Sequence, residues 1–261
     1  MSGKVIWITG ASSGIGEALT YQLNKRGHKL IISARRAEIL EQVKRNCSEP
    51  DKIAILPLDL SNFDNLSNIV QTAIKKHGKI DMLINNGGIS QRSLIIDTKL
   101  EVFKKMIDVN YMGTISLTKS LLPEFIKNQG GHFVTVTSLM GKFGSPYRSG
   151  YCGAKHALHG FFDVLRMEHE KDNIKVTLIC PGFIQTDVAK NALTGDGSAQ
   201  KKEDDATQNG MSVEVCAKKI IRAIKKNKIE AYIGGKETMG VYLKRFFPKL
   251  LHKMVLRSDV T

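Results

Sequence analysis

Short apolar runs rich in branched residues recur along the chain, separated by stretches whose apolar positions fall three and four apart. The runs are KVIWIT (4–9), HKLIISA (28–34), IAILPLDL (53–60), KIDMLINNGG (79–88), GHFVTVTS (131–138), IKVTLICPG (174–182) and IEAYIGG (229–235). Runs this short, with so few polar positions, suit strands buried on both faces. The periodic stretches include residues 63–78, 99–127, the stretch from Tyr151 to 171, and 213–226, all predicted helices. Strand and helix in alternation predict an α/β fold in a single domain over 1–261: a doubly wound sheet of seven parallel strands with helices on both faces. Two stretches stand apart. Residues 187–211 are polar, contain glycine and offer few core positions, so they are expected to be a mobile lid. Residues 239–261 form a basic, amphipathic C-terminal extension.

The first run leads into TGASSGIGE, with Gly10, Gly14 and Gly16 spaced Gly-x-x-x-Gly-x-Gly ahead of an amphipathic helix. Glycines there permit a tight turn, and the helix N-terminus offers free N–H groups and a positive dipole end to a phosphate. A glycine turn between strand and helix at the start of a βαβ unit makes the sheet Rossmann-type. In such a domain an acid at the end of the second strand takes the ribose 2′-hydroxyl of NAD. Here Ala34 stands at that place, followed by Arg35 and Arg36. A guanidinium fork suits a 2′-phosphate, which points to NADP(H). The alternative is that the two arginines simply begin the next helix in solvent.

The fifth run delivers Ser138 at its end, and Tyr151 and Lys155 follow one helical turn apart. A cation one turn from a phenol favours the phenolate, and a nearby hydroxyl can hold a substrate oxygen, so the three residues compose a general acid/base. Taken alone the Tyr-x-x-x-Lys spacing also fits a solvated helix face.

Composition narrows the setting. No apolar run approaches the roughly 18–20 residues of a membrane span. The N-terminus enters a strand after too short an apolar stretch for a signal peptide. Cys47, Cys152, Cys180 and Cys216 are widely spaced, so we expect a reduced cytoplasmic protein with no disulfide and no metal site. The net charge is +14, and residues 215–261 hold 12 Lys/Arg against 3 Asp/Glu. No nucleic-acid recognition motif accompanies that charge, so nucleic acid is not an expected partner.

With these residues in place, the chain resembles the short-chain dehydrogenase/reductase family over nearly its whole length. The resemblance is carried by Thr9-Gly10-Ala11-Ser12-Ser13-Gly14-Ile15-Gly16, Asn85-Asn86-Gly87-Gly88, Asn110, Ser138, Tyr151-x-x-x-Lys155, and Pro181-Gly182 with Thr186. One departure is Gly87, where the family has alanine, from which a looser loop is expected. SARR (33–36), NNGGISQRSLIIDT (85–98) and GYCGAKHALHGFF (150–162) look like the microsomal members related to 11β-hydroxysteroid and retinol dehydrogenases. Many of those carry an N-terminal anchor, which we do not expect here. The resemblance implies that Ser138 positions a carbonyl, Tyr151 donates the proton, and Lys155 lowers the Tyr151 pKa and holds the nicotinamide ribose. Asn110 would hold a proton-relaying water. Asp59 would meet the adenine, Asn86 the adenine ribose and Thr186 the carboxamide, with Leu60, Gly87, Gly88, Pro181, Gly182 and Ile184 completing the cofactor site.

The leading expectation is an NADP(H)-dependent oxidoreductase acting on a small, lipophilic ketone, aldehyde or alcohol; the alternative is a non-catalytic NADP(H)-binding sensor or scaffold. The resemblance implies a homodimer or homotetramer paired through the Asn110 and Tyr151 helices, and Leu158, Phe161, Phe162 and Leu165 offer more apolar area than one sheet face needs; the alternative is that part of that face packs on the sheet. In the tail, Tyr242, Leu243, Phe246, Phe247, Leu250, Leu251, Met254 and Val255 make a stripe interrupted at Pro248, opposite Lys244, Arg245, Lys249, Lys253 and Arg257. Such a segment either packs on the enzyme or a partner subunit, or lies weakly on an anionic membrane.

Overall fold

The computed structural model describes residues 3–202 and 204–257. Each apolar run becomes a strand: Val5–Thr9 (β1), Lys29–Ser33 (β2), Ile53–Ile55 (β3), Met82–Asn85 (β4), Gly131–Val136 (β5), Ile174–Pro181 (β6) and Glu230–Ile233 (β7). They pair in parallel in the order β3-β2-β1-β4-β5-β6-β7. The helices between them are Gly14–Asn24 (α1), Ala37–Arg45 (α2), Leu66–His77 (α3), Leu100–Ile107 (α4), Gly113–Lys127 (α5), Ser149–Glu168 (α6), Asp205–Gln208 (α7), Val213–Lys225 (α8), Met239–Phe246 (α9) and Pro248–Arg257 (α10).

Because successive side chains of a strand point to opposite faces, β1 feeds two cores. Ile6 and Ile8 pack with Leu19, Leu30, Ile32 and Ile220, under α1 and α8. Val5 and Trp7 pack with Leu117, Leu121, Phe133 and Phe162, under α5 and α6. The third strand is shorter than its apolar run predicts; Pro57 stands at the open edge of the sheet, between two donors to β2, where its missing N–H costs no ladder bond. Leu56 and Leu58 still donate to Ile32 O (3.1 Å) and Ala34 O (3.0 Å), which carries the chain beside β2 as far as Asp59.

Three further expectations meet the structure here. Leu158, Phe162 and Leu165 are buried on this chain's own sheet, and Phe161 packs edge-on against Tyr111 and Phe162. Phe161 remains partly exposed, and Val164 and Met167 on the same helix are exposed. Segment 187–211 carries specific anchors. Ala189, Ala192, Leu193, Asp204 and Thr207 are buried, and Leu193 exchanges backbone hydrogen bonds with Ser90 and Arg92, both 2.8 Å. The tail stripe divides in two, because Pro248 ends one helix and opens the next. Leu251 is buried with Leu139, Phe143 and Cys180, while Tyr242, Phe246, Phe247, Leu250 and Met254 are exposed. The last predicted tail residues, 258–261, lie outside the described residues. No helix among the described residues is long and apolar enough to cross a membrane.

Candidate active site

Gly10 and Gly14 stand at φ +64° and +56°, a region that disfavours side chains. A Cβ on Gly10 would lie 2.7 Å from Gly87 Cα, and one on Gly14 3.0 Å from the Thr186 methyl. A Cβ on Gly16 would strike Gly10 O, so Gly16 serves the packing of α1 beneath the turn rather than the cavity wall. Ser13, the N-cap of α1, makes no side-chain cap. The first-turn N–H groups, which have no partner inside a helix, therefore face the cavity with Ser12, Ser13, Gly14 and Ile15. This cradle fits a dinucleotide phosphate.

The cavity, about 840 Å³, runs along the carboxyl ends of the strands. Arg35 and Arg36 line one end of it, exposed, and among the described residues neither guanidinium has a hydrogen-bond or ion-pair partner. Asp59 lies nearby, its carboxylate accepting from Ser61 N and Oγ; those bonds, with Arg35 and Lys105, hold its pKa below the usual value even though partial burial pushes the other way. Leu60, Asn86, Gly87, Gly88, Pro181, Gly182, Ile184 and Thr186 also border the cavity. The Asn86 amide nitrogen donates to Thr9 O (3.1 Å) and Gly10 O (3.2 Å), so this side chain braces the glycine turn from the cavity's edge. One expectation is corrected here. The space that an alanine methyl would take at Gly87 is filled by Leu60 Cδ1, 2.9 Å from the position of a Cβ, so the glycine tightens the contact instead of loosening the loop.

Ser138, Tyr151 and Lys155 meet on the same wall. Ser138 Oγ accepts from Met140 N (3.1 Å), donates toward Pro181 O (3.4 Å) and is hydrogen-bonded to the Tyr151 phenol. Lys155 Nζ donates to Val136 O (2.9 Å) and lies 5.7 Å from the centre of the Tyr151 ring. Burial raises the Tyr151 pKa, against smaller opposing pulls from the Ser138 hydrogen bond, Arg92 and Arg148. Burial also brings Lys155 down to about 8. The expected depression of the phenol by Lys155 is therefore not what the protein's own groups produce, because both side chains are desolvated together.

Asn110 lies off the cavity wall, in a π-helical turn (Asp108–Met112) between α4 and α5. Its amide donates to Ile89 O (3.0 Å) and accepts from Ile89 N (2.9 Å). The side chain is thereby a clamp on the strand end; the expected water-holding role is not available to these two atoms. The extra residue of a π turn is a common way to redirect a functional side chain.

Spacing in the sequence could not reveal two further clusters. Arg92 and Arg148 line the cavity and share the carboxylate of Asp204. Behind Ser138, His159, Cys180 and Glu230 come together, with Lys142 (2.6 Å) and Tyr232 (2.9 Å) on the Glu230 carboxylate. Their components lie on separate elements, and only the fold joins them.

A sequence profile described as short chain dehydrogenase matches residues 4–196. The chain is 40% identical over 264 residues to a dehydrogenase/reductase SDR family protein 7-like of Anopheles gambiae, covering 99% of this chain and 83% of that one. It is also 40% identical over 255 residues to dehydrogenase/reductase SDR family member 7 of Homo sapiens, covering 95% and 75%. In fold it is similar to a short-chain dehydrogenase from Streptomyces avermitilis (TM-score 0.82, 24% identity, 98% of each chain). It is equally similar to a short chain dehydrogenase/reductase from Burkholderia phymatum in complex with NAD (TM-score 0.82, 19% identity, 100% and 97%).

Proposed function

The chain belongs to the short-chain dehydrogenase/reductase family of nicotinamide-dependent oxidoreductases, and from that premise we propose that it uses NADP(H) to interconvert a ketone or aldehyde and an alcohol. One observation carries this reading: Ser138, Tyr151 and Lys155 share a single cavity wall with the glycine turn and the two unpartnered arginines. Gly10, Ser12, Ser13, Gly14 and Ile15 would hold the phosphates, Arg35 and Arg36 the 2′-phosphate, and Lys155 and Thr186 the nicotinamide end. The nicotinamide supplies the hydride chemistry when bound. Tyr151 supplies the proton: burial keeps the phenol protonated at neutral pH, the state a reduction needs. Ser138 holds the substrate oxygen against that phenol. Lys155, brought down to about 8 by burial, would hold the nicotinamide ribose as a cation below that pH.

Leu139, Met140, Phe143, Phe183, Leu243 and Leu251 line the other end of the cavity, which supports a lipophilic substrate. Exposed Val164 and Met167 support a homodimer or homotetramer paired through α6, to be checked by light scattering at micromolar concentration. Exposed Phe246, Phe247, Leu250 and Met254, set among five basic residues, support peripheral contact of the cytoplasmic protein with an anionic membrane beside the cavity mouth.

A panel of apolar ketones, aldehydes and secondary alcohols, assayed with NADP(H) and NAD(H), tests the proposal. Turnover of at least one pair with NADP(H) preferred is expected. Tight NADPH binding with no turnover across the panel would favour the sensor or scaffold reading.

A further inference from the structure

Asp204 belongs to segment 187–211, yet its side chain is only 1% exposed. Its carboxylate is held by two arginines from two other segments. Arg92, on the loop after β4, donates from Nη2 (2.5 Å) and Nε (3.0 Å) to Oδ2; Arg148, at the entry to α6, donates from Nη2 (3.2 Å). The arginine side chains are 8% and 6% exposed. Each is also fixed to its own loop: Arg92 donates to Ser90 Oγ (2.9 Å) and Gln91 O (2.8 Å), and Arg148 to Ser145 Oγ (3.2 Å). Both line the cavity that holds Tyr151. Asp204 also begins α7, its carbonyl accepting from Thr207 N and Gln208 N. One carboxylate thus ties the far end of the segment to both sides of the substrate end of the cavity.

The alternative is general structural glue, and the local balance argues against it. Among the described residues between Val188 and Asp204, the buried apolar side chains are Ala189, Ala192 and Leu193. Hydrophobic contact alone holds this stretch weakly; the backbone bonds of Leu193 to Ser90 and Arg92 and of Lys99 to Gly195 pin its middle, and the ion pairs pin its far end. Removing the acid would take a shared carboxylate from two buried guanidiniums, and breaking a buried ion pair by deleting one partner costs far more than the pair itself contributes.

We propose that Asp204 is a positioning residue whose ion pairs with Arg92 and Arg148 latch segment 187–211 across the cavity and hold substrate beside Tyr151. The latch stands on geometry alone; its effect on substrate rests on the oxidoreductase reading.

The test is hydrogen exchange of the full, ligand-free chain, wild type against Asp204→Asn and Asp204→Glu. In Asp204→Asn, exchange over 188–208 is expected to quicken at least about tenfold while β1, β4 and β5 are unchanged, with partial recovery in Asp204→Glu. For a turned-over substrate, KM should rise at least about tenfold with kcat changed less than about threefold, since the chemical groups are intact. Unchanged exchange over 188–208 in folded Asp204→Asn overturns the latch, and so does a uniform rise that includes the central strands. If Asp204→Asn does not fold, Arg92→Lys, which keeps the charge but loses the fork, decides by the same two readouts. The exchange arm needs no turnover, so it stands even if the oxidoreductase reading fails; the KM arm falls with that reading.

Discussion

The Asn110 side chain takes both backbone polar groups of Ile89, donating to its carbonyl at 3.0 Å and accepting from its N–H at 2.9 Å. This joins the π turn between α4 and α5 to the strand end that carries Gly88, where a Cβ would lie 2.6 Å from Asn110 Oδ1 and 3.6 Å from Lys155 Nζ. Asn110→Ala should therefore cost about 1–3 kcal/mol for each group left unpaired. In a chain of this size that lowers Tm by several degrees, and turnover should fall with it. An unchanged melting temperature in Asn110→Ala would show that the clamp carries no stability.

Tyr151→Phe removes the phenol that reaches both Ser138 and the cavity while leaving the glycine turn and the arginines in place. Turnover should fall about 10²–10⁴-fold, with NADPH affinity nearly unchanged. Retention of more than a few per cent of the rate rules out Tyr151 as the acid/base.

Arg35 and Arg36 line the cavity with no protein partner among the described residues, so a 2′-phosphate would be their first strong acceptor. Losing a charge-assisted hydrogen bond costs about 1.5–3 kcal/mol, or one to two decades of affinity. The Arg35→Ala/Arg36→Ala double variant should bind NADPH at least tenfold more weakly and NADH equally well. Equal catalytic efficiency of the wild type with both cofactors would remove this role.

His132 is buried, and burial, then Lys4 and Lys175, bring its pKa down to about 4 from 6.5. Above pH 6.5 the ring is neutral in the folded and unfolded chain, and its contribution to stability is fully present. As pH falls from 6.5 to about 4, only the unfolded chain takes up the proton, and about 3 kcal/mol is lost. Urea melts at pH 7.5 and 4.5 should show a smaller loss in His132→Gln than in the wild type, since Gln can still reach Thr177 Oγ1, now 2.9 Å from the ring nitrogen. An equal loss in both proteins would mean that His132 does not carry the acid sensitivity.

The outward side of the tail combines exposed Phe246, Phe247, Leu250 and Met254 with Lys244, Arg245, Lys249, Lys253 and Arg257. Each basic residue near an anionic surface adds about 1 kcal/mol. Phosphatidylserine-rich vesicles should pull down the full chain at low salt, release it at high salt, and fail to bind the Phe246→Ser/Phe247→Ser variant. Absence of co-sedimentation at low salt would assign this surface to subunit packing.

The parallel sheet, the glycine turn, Arg35 and Arg36, and the Ser138-Tyr151-Lys155 set were legible in the sequence, because each depends on local period or short spacing. A buried strand reads as a branched run, a phosphate turn as spaced glycines, and a shared helix face as residues four apart. What depended on neighbours distant in the chain was not legible. Asn86 bracing Thr9 and Gly10, Asn110 clamping Ile89, and Leu60 filling the space beside Gly87 need the carboxyl ends of several strands gathered at one edge. Segment 187–211 read as polar and mobile because its anchor is a charge, Asp204, whose partners lie 112 and 56 residues away. The phenol was expected to be lowered by its neighbouring lysine, since spacing shows proximity but not solvent. The folded protein buries both groups, and the loss of water raises the phenol and lowers the lysine.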